Sequence, residues 1–224
     1  MTTQLRIDFI SDIACPWCVI GLRNMEAALA EVGDEIAASI RFEPFELNPD
    51  MAEGGMDRAA YFAEKYRLPA DEAKRRGGAI REAAEATGFA MNTGEGFRIY
   101  NTFDCHRLLH WALGEGRQRA LKHALFEAYF TDNRDISDAD VLAEVAVGVG
   151  LDEGRAREIL AGDEFADVVR TEEQEARRNG VQSVPTIIVA GEYVINGAQP
   201  PEIFMRAFRH IAGEVAKKAV AANV

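Results

Sequence analysis

Nowhere in the 224 residues does an apolar run approach the roughly 18 residues that a spanning helix needs, so no membrane partner is expected. Positive charge is also short. Lysine and arginine number 25 against 37 aspartates and glutamates, a formal net charge of −12 that argues against nucleic acid or an anionic membrane as the main partner. Three cysteines in a chain of this length are no disulfide framework. There is no second CxxC to complete a structural zinc site. No leader-like apolar segment precedes the first strand pattern, so the expected location is cytoplasmic. In a reducing compartment a lone close cysteine pair is catalytic or metal-binding sooner than structural. No repeat or low-complexity tract is present. The chain is 48% hydrophobic and 28% charged, as an ordinary globular protein is, and long enough for one large domain or a domain carrying an insertion.

What the sequence does have is Asp12-Ile13-Ala14-Cys15-Pro16-Trp17-Cys18. Leu5, Ile7 and Phe9 alternate with polar residues before it, a strand pattern over 4–10. Cys18, Leu22, Met25, Leu29 and Val32 follow at helical spacing. Pro16 suits the first helical position, where its missing N–H bonds nothing, and Gly33 suits the end. The cysteines therefore sit at a strand–helix junction. Unpaired backbone N–H groups and the helix dipole there favour thiolate over thiol, which makes Cys15 the expected nucleophile and Cys18, one turn inward, the resolving thiol. Zinc is the weaker reading, because Cys105, His106 and His110 supply ligands only if a distant segment folds over the pair.

Ile40 and Phe42 mark a second strand, ended or bulged at Pro44. From 49 to 162 the pattern is helical throughout: Asp57 to Leu68, Pro69 to Thr87 (weakened by Gly77 and Gly78), Asn101 or Thr102 to Gly114, Arg117 to Phe130, a helix opened by a capping box at Ser137, and Asp152 to Leu160. A helix over Asp163 to Asn179 then leads to Thr186–Val189 and Tyr193–Ile195, joined by the hairpin signal Ala190-Gly191. Pro200 and Pro201 start a last helix with Phe204, Ala207, Phe208 and Ile211 at core spacing. The expected architecture is α/β, in the order βαβ…αββα over residues 1–48 and 163–224, with an all-α insertion over 49–162. Val184-Pro185-Thr186 places a proline at the start of a strand. An isolated X–Pro bond is cis in only about one case in twenty; the CxxC, the proline before the hairpin and the closing helix together raise those odds.

This arrangement resembles the thioredoxin superfamily, and the helical insertion its DsbA-like branch. Within the branch, Asp12-x-x-Cys15-Pro16-Trp17-Cys18-x-x-Gly21, Pro44–Pro49, Asn101–Arg107, Ala128–Thr131, Gly180–Pro185 and Ile195–Gln199 resemble the FrnE-type subgroup, which is grouped with 2-hydroxychromene-2-carboxylate isomerases. The resemblance implies a thiol-disulfide oxidoreductase with Cys15 attacking, Cys18 resolving, Pro185 as cis-proline and Val184 offering its backbone to substrate. It implies no tightly bound cofactor and no metal. Substrates would be a disulfide-containing protein or a small thiol, the protein a monomer or homodimer. Isomerase and kappa-class glutathione transferase relatives carry Ser where this chain has Cys15, which favours redox chemistry here and leaves glutathione open as a thiol partner. A glutathione-dependent isomerase or transferase is the second reading, and a redox-dead peptide-binding module the third.

Other residues carry two readings each. Asp12 either relays the proton of the resolving step or shapes the turn. Trp17 is a substrate platform or a rim packing residue. Cys105, with Leu108, Leu109 and Ala112 at core spacing, is a small buried hydrophobe before it is a third redox thiol. His106 and His110 share a helix face without a third ligand. By the resemblance alone, Asn101 and His106 line the cleft between insertion and core and bind substrate there.

Overall fold

The computed structural model describes residues 2–221. Strand β1 (Thr3–Ser11) runs into the CxxC turn, helix α1 (Pro16–Glu31) and strand β2 (Ile36–Pro44). Next come β3 (Met56–Asp57), α2 (Arg58–Tyr66), α3 (Ala70–Glu85), β4 (Arg98–Ile99), α4 (Phe103–Gly114), α5 (Gln118–Phe126), a π-helical turn (Glu127–Thr131), α6 (Ala139–Gly148) and α7 (Glu153–Ala161). The chain closes with α8 (Ala166–Arg178), β5 (Thr186–Val189), β6 (Tyr193–Asn196) and α9 (Pro201–Ala221).

The main sheet has the order β2-β1-β5-β6, with β1 parallel to β2 and antiparallel to β5. β1 is central, and from Ile7 onward both of its faces are buried. Leu5, Ile7 and Phe9 point into the large core, with α1 and α9 over that face. Ile10 points the other way, against Phe45, Ala176 and Val181 under α8. Sheet pairing sets Ile7 beside Ile40 and Phe9 beside Phe42, so the two strands share one register of inward side chains. The β5–β6 hairpin turns at Ala190 and Gly191, both with positive φ.

Between β2 and α8 the chain is helical apart from one short antiparallel pair, β3 with β4, so an all-α description of 49–162 needs that amendment. Two-residue strands carry no alternation to detect. α3 runs unbroken through Gly77 and Gly78; a Cβ at Gly77 would strike the Arg58 guanidinium, so the glycine makes room for that side chain. α5 stops at Phe126 and widens to a π turn rather than running on to Phe130. The extra residue per turn brings Tyr129 and Phe130 inward together, with ring centroids 4.8 Å and 6.0 Å from Phe97. α6 is capped by Asp138, whose carboxylate accepts from the Asp140 and Val141 N–H groups, and not by Ser137, whose hydroxyl donates to Asp135. α1 likewise ends on Val32 rather than Gly33.

Buried polar side chains tie this insertion to the core. Arg107 is almost wholly buried and donates to the Ile159, Gly162 and Glu164 carbonyls and to Asp104, so it closes the end of α7. Gln118 donates to the Phe42 carbonyl at 2.9 Å and accepts from the Phe42 N–H at 3.0 Å, which docks α5 on β2. Removing one partner of a buried hydrogen bond leaves the other unsatisfied. Gln118→Ala is therefore expected to destabilise the protein by about 3 kcal/mol in urea unfolding; an unchanged midpoint would mean that α5 does not depend on this amide.

Candidate active site

Cys15 is the N-cap of α1, in an extended conformation, and makes no side-chain cap bond of its own. A turn sets it there: its N–H donates to the Asp12 carbonyl at 3.3 Å, and Cys18 N–H donates to the Cys15 carbonyl at 3.0 Å. Both thiols are free and buried, Cys15 at 4% exposure and Cys18 at 0%. The Cys15 Sγ–H donates to the Val184 carbonyl at 3.6 Å, across 169 positions of sequence. The Val184–Pro185 bond is cis, so the structure brings the predicted cysteine pair and the predicted proline together. Gly21 eases that approach: a Cβ there would lie 3.0 Å from Pro185 Cγ and 3.3 Å from Ala198 Cα, close enough that the neighbours would have to shift by a few tenths of an ångström. Sequence reading had placed Gly21 in the motif without giving it a task.

The two thiols differ in setting. Cys18 is pushed well above its ordinary pKa, first by burial and then by the hydrogen bond and negative charge of Cys15, against a smaller opposing pull from the Lys122 ammonium. A high value suits a thiol that is held in reserve.

Asp12 is completely buried. Burial alone would raise its pKa; the nearby His106 ring, then the Leu47 N–H and the Thr102 hydroxyl, outweigh it and hold the carboxyl below its ordinary value. Its Oδ1 accepts from the Ala14 N–H at 3.1 Å and its Oδ2 from the Leu47 N–H at 2.7 Å. Asp12 thus shapes the turn and ties it to the end of β2, rather than capping α1. His106 lies beneath it, with Nε2 3.7 Å from Oδ1. That is too long for a hydrogen bond, and Nε2 has no hydrogen-bond partner among the described residues.

Trp17 is 43% exposed between the cysteines, a flat apolar surface beside Cys15. Ala14 and Pro16 form one wall of a cavity of about 100 Å³, whose remaining walls include Tyr61, Phe62, Tyr66 and Phe97. Not every sequence-predicted residue reaches this surface. His106 is 2% exposed, so what it touches is Asp12 and not an open cleft. The Asn101 amide donates to Glu46 and to the Pro49 carbonyl, each at 3.3 Å, and its Oδ1 accepts from the Phe103 N–H, which ties the start of α4 to the segment after β2. Cys105 is fully buried, raised well above its ordinary pKa by that burial, and donates to the Ile136 carbonyl at 3.4 Å. His110 faces Glu172 at 3.5 Å. Among the described residues no group of three or more His, Cys, Asp or Glu is placed to hold a metal ion.

One charged group near the dithiol was not foreseen. Lys122 of α5 is 0% exposed, and burial pushes it down to about 8 despite the opposing pull of Cys18, Asp12, Cys105 and Cys15. Helical periodicity could have flagged it, since it lies four residues from both Gln118 and Phe126, which are also buried.

The family model of the DSBA-like thioredoxin domain matches residues 6–209. The probable DsbA oxidoreductase SCO1869 of Streptomyces coelicolor superposes with a TM-score of 0.87 at 36% identity, over 94% of this chain and 91% of that one. The uncharacterised protein YwbO of Bacillus subtilis is 26% identical over 219 residues, 97% of this chain and 100% of its own length. A 2-hydroxychromene-2-carboxylate isomerase shares the fold at a TM-score of 0.66 and 14% identity, over 97% and 98% of the two chains.

A carboxylate whose folded pKa lies below its unfolded 3.8 contributes stability that is complete above 3.8 and is lost as pH falls toward the folded value. Asp12→Asn is expected to cost about 2 kcal/mol at neutral pH. The gap between wild type and variant should narrow below about pH 4. Urea unfolding at several pH values reads both, and a gap that stays constant into acid would show that the Asp12 charge is not what stabilises the turn.

Proposed function

This chain belongs to the DsbA-like thioredoxin family, and we propose that it is a dithiol-disulfide oxidoreductase in which Cys15 attacks and Cys18 resolves. The observation that carries this reading is the Cys15 thiol at the start of α1, 3.6 Å from the carbonyl that precedes the cis-proline, with a second thiol buried one turn behind it. In the proposed cycle the Cys15 thiolate attacks one sulfur of a substrate disulfide. A mixed disulfide forms, and the other substrate sulfur leaves and takes up the proton that Cys15 gave up. Cys18 then attacks Cys15 Sγ, the internal disulfide closes, and the second substrate sulfur leaves as a thiol. Two electrons pass from the dithiol to the substrate, so no tightly bound cofactor is invoked.

The Val184 carbonyl and the exposed Trp17 ring are the groups beside Cys15 that an approaching substrate would meet. They suit an extended peptide carrying a disulfide, and equally a small disulfide such as that of glutathione. Among the described residues no helix is long and apolar enough to cross a membrane.

The aromatic-walled cavity beside Ala14 and Pro16 favours a second reading, a glutathione-dependent isomerase that seats an aromatic substrate there. Substitution at position 15 separates the two. Cys15→Ser is expected to abolish insulin and glutathione-disulfide reduction, and Cys18→Ser to accumulate a covalent mixed disulfide at Cys15 that mass spectrometry detects. Undiminished reduction by Cys15→Ser would refute the oxidoreductase reading, and glutathione-dependent isomerisation by that variant would support the second.

A further inference from the structure

We propose that the aromatic-walled cavity beside the CxxC turn and a basic cavity next to it are two halves of one binding site, whose ligand is a small organic anion: an apolar body carrying a single carboxylate. Binding needs no step from either thiol, so the inference goes beyond the oxidoreductase reading.

The two cavities share walls. The first, of about 100 Å³, reaches from Ala14 and Pro16 to Arg58. The second, of about 430 Å³, is bounded by α2, α3 and the loop 94–96. Arg58, Phe62, Thr93 and Phe97 line both. Aromatic and aliphatic side chains make up most of the first, whereas the second is also lined by Lys74 and Arg81.

An arginine at position 58 calls for a reason. Its guanidinium donates to the Thr93 carbonyl and lies 5.5 Å from the centre of the Phe62 ring, and it has no ion pair among the described residues. α3 makes room for it with Gly77, where a Cβ would strike a guanidinium nitrogen. A glycine inside a helix lowers the helix's stability. Here it accommodates a cation that has no counter-ion. Lys74 and Arg81 likewise have no carboxylate partner among the described residues. Glu72 of the same helix pairs instead with Arg75 and Arg76. Two acidic residues belong to the second cavity's wall. Asp57 accepts from the Ala59 and Ala60 N–H groups as the cap of α2, and Glu95 sits exposed on the loop. Three unpaired cations around one cavity locally reverse the sign of a chain whose net charge is −12.

The walls set the chemistry of the ligand. A planar guanidinium offers a carboxylate two parallel N–H groups at once. Burial, then the like charge of Arg81, hold the Arg58 guanidinium below its ordinary pKa, and an anion in the cavity they share would reverse that. Toward Pro16 the walls are rings and aliphatic chains, so the rest of the ligand is apolar. A polar chain laid against those rings would lose its hydrogen bonds to water without replacement. A mostly apolar cavity with a few polar groups that fix orientation is the usual form of a small-molecule site.

The test measures binding of phenylbutyrate and of its uncharged counterpart phenylbutanol to the full-length protein by isothermal titration calorimetry, in wild type, Arg58→Met and Cys15→Ser. Phenylbutyrate is expected to bind wild type at least about tenfold more tightly than phenylbutanol, as a hydrogen bond to a charged group allows. Arg58→Met should weaken phenylbutyrate about tenfold and leave phenylbutanol unchanged. Cys15→Ser should bind as wild type does; loss of binding there would place the anion at the thiol and overturn the two-cavity site. No saturable binding of phenylbutyrate, or equal binding by a folded Arg58→Met, would also overturn it. Should that variant not fold, backbone NMR of the wild type decides. Shifts on titration that centre on Phe62, Thr93 and Phe97 support the proposal, and shifts elsewhere, or none, overturn it. Disulfide exchange is read separately by insulin reduction, so failure of this site and failure of the oxidoreductase reading are distinguishable.

Discussion

Asp12 keeps its charge inside the protein because both of its oxygens are held by fixed donors. The Ala14 N–H comes from the turn itself, and the Leu47 N–H from the segment that leaves β2; Thr102 and His106, from the start of α4, add to them. Three stretches of chain far apart in sequence therefore meet at one carboxylate. The turn they hold is the one that sets Cys15 at the helix start and Cys18 behind it. A neutral side chain of the same shape would bind those donors less strongly, because hydrogen bonds to an ionised acceptor are roughly twice as strong as neutral ones. The helical insertion is thus more than a cover for the core: through Thr102 and His106 it helps to decide the conformation of the turn that carries both cysteines.

The same burial makes the electrostatics of the site sensitive to redox state. Two thiols, a carboxylate and an ammonium share a region from which water is largely excluded, so each group's ionisation changes the others. Burial pushes the Cys18 pKa up and the Lys122 pKa down, and the charge of each opposes the shift of the other. Disulfide formation removes both thiols from this set at once. Gly21 plays a different part, setting distance rather than charge: by omitting a Cβ it lets α1 approach Pro185 and Ala198 closely enough for Cys15 to reach the Val184 carbonyl.

Most of the frame was legible from local pattern. Alternation at Leu5, Ile7 and Phe9, helical spacing after Cys18 and the Ala190–Gly191 turn each depend on neighbours in sequence, and the structure has them where they were expected. The cysteine pair and Pro185 were legible too, through the order of elements between them. The misses have separate causes. The β3–β4 pair is too short for alternation, the π turn answers to the packing of Tyr129 and Phe130 against Phe97, and the α6 cap fell one residue later because Asp138 competes with Ser137 for the same role. Burial of charged and polar groups was the hardest to read. Arg107, His106 and Gln118 look like surface residues by type, and only long-range partners make them interior ones, while Lys122 is interior with no hydrogen-bond partner among the described residues.

Fold alone leaves the chemistry open, since a 2-hydroxychromene-2-carboxylate isomerase shares it. What narrows the choice is sulfur at position 15. A serine there could polarise a bound thiol but could not form and break an S–S bond, and a buried Cys18 behind it would have nothing to attack. With sulfur at both positions, the burial of Cys18 is useful on the proposed reading: a resolving thiol shielded from solvent would react with its neighbour and not with passing substrate. Cys15 itself is only slightly exposed, so on the proposed reading a substrate sulfur must come in beside Trp17 and the Val184 carbonyl. Recognition through a main-chain carbonyl and an aromatic face asks little of the substrate's side chains. Such a site would discriminate by whether a disulfide can be presented at the helix start, and much less by the sequence around it.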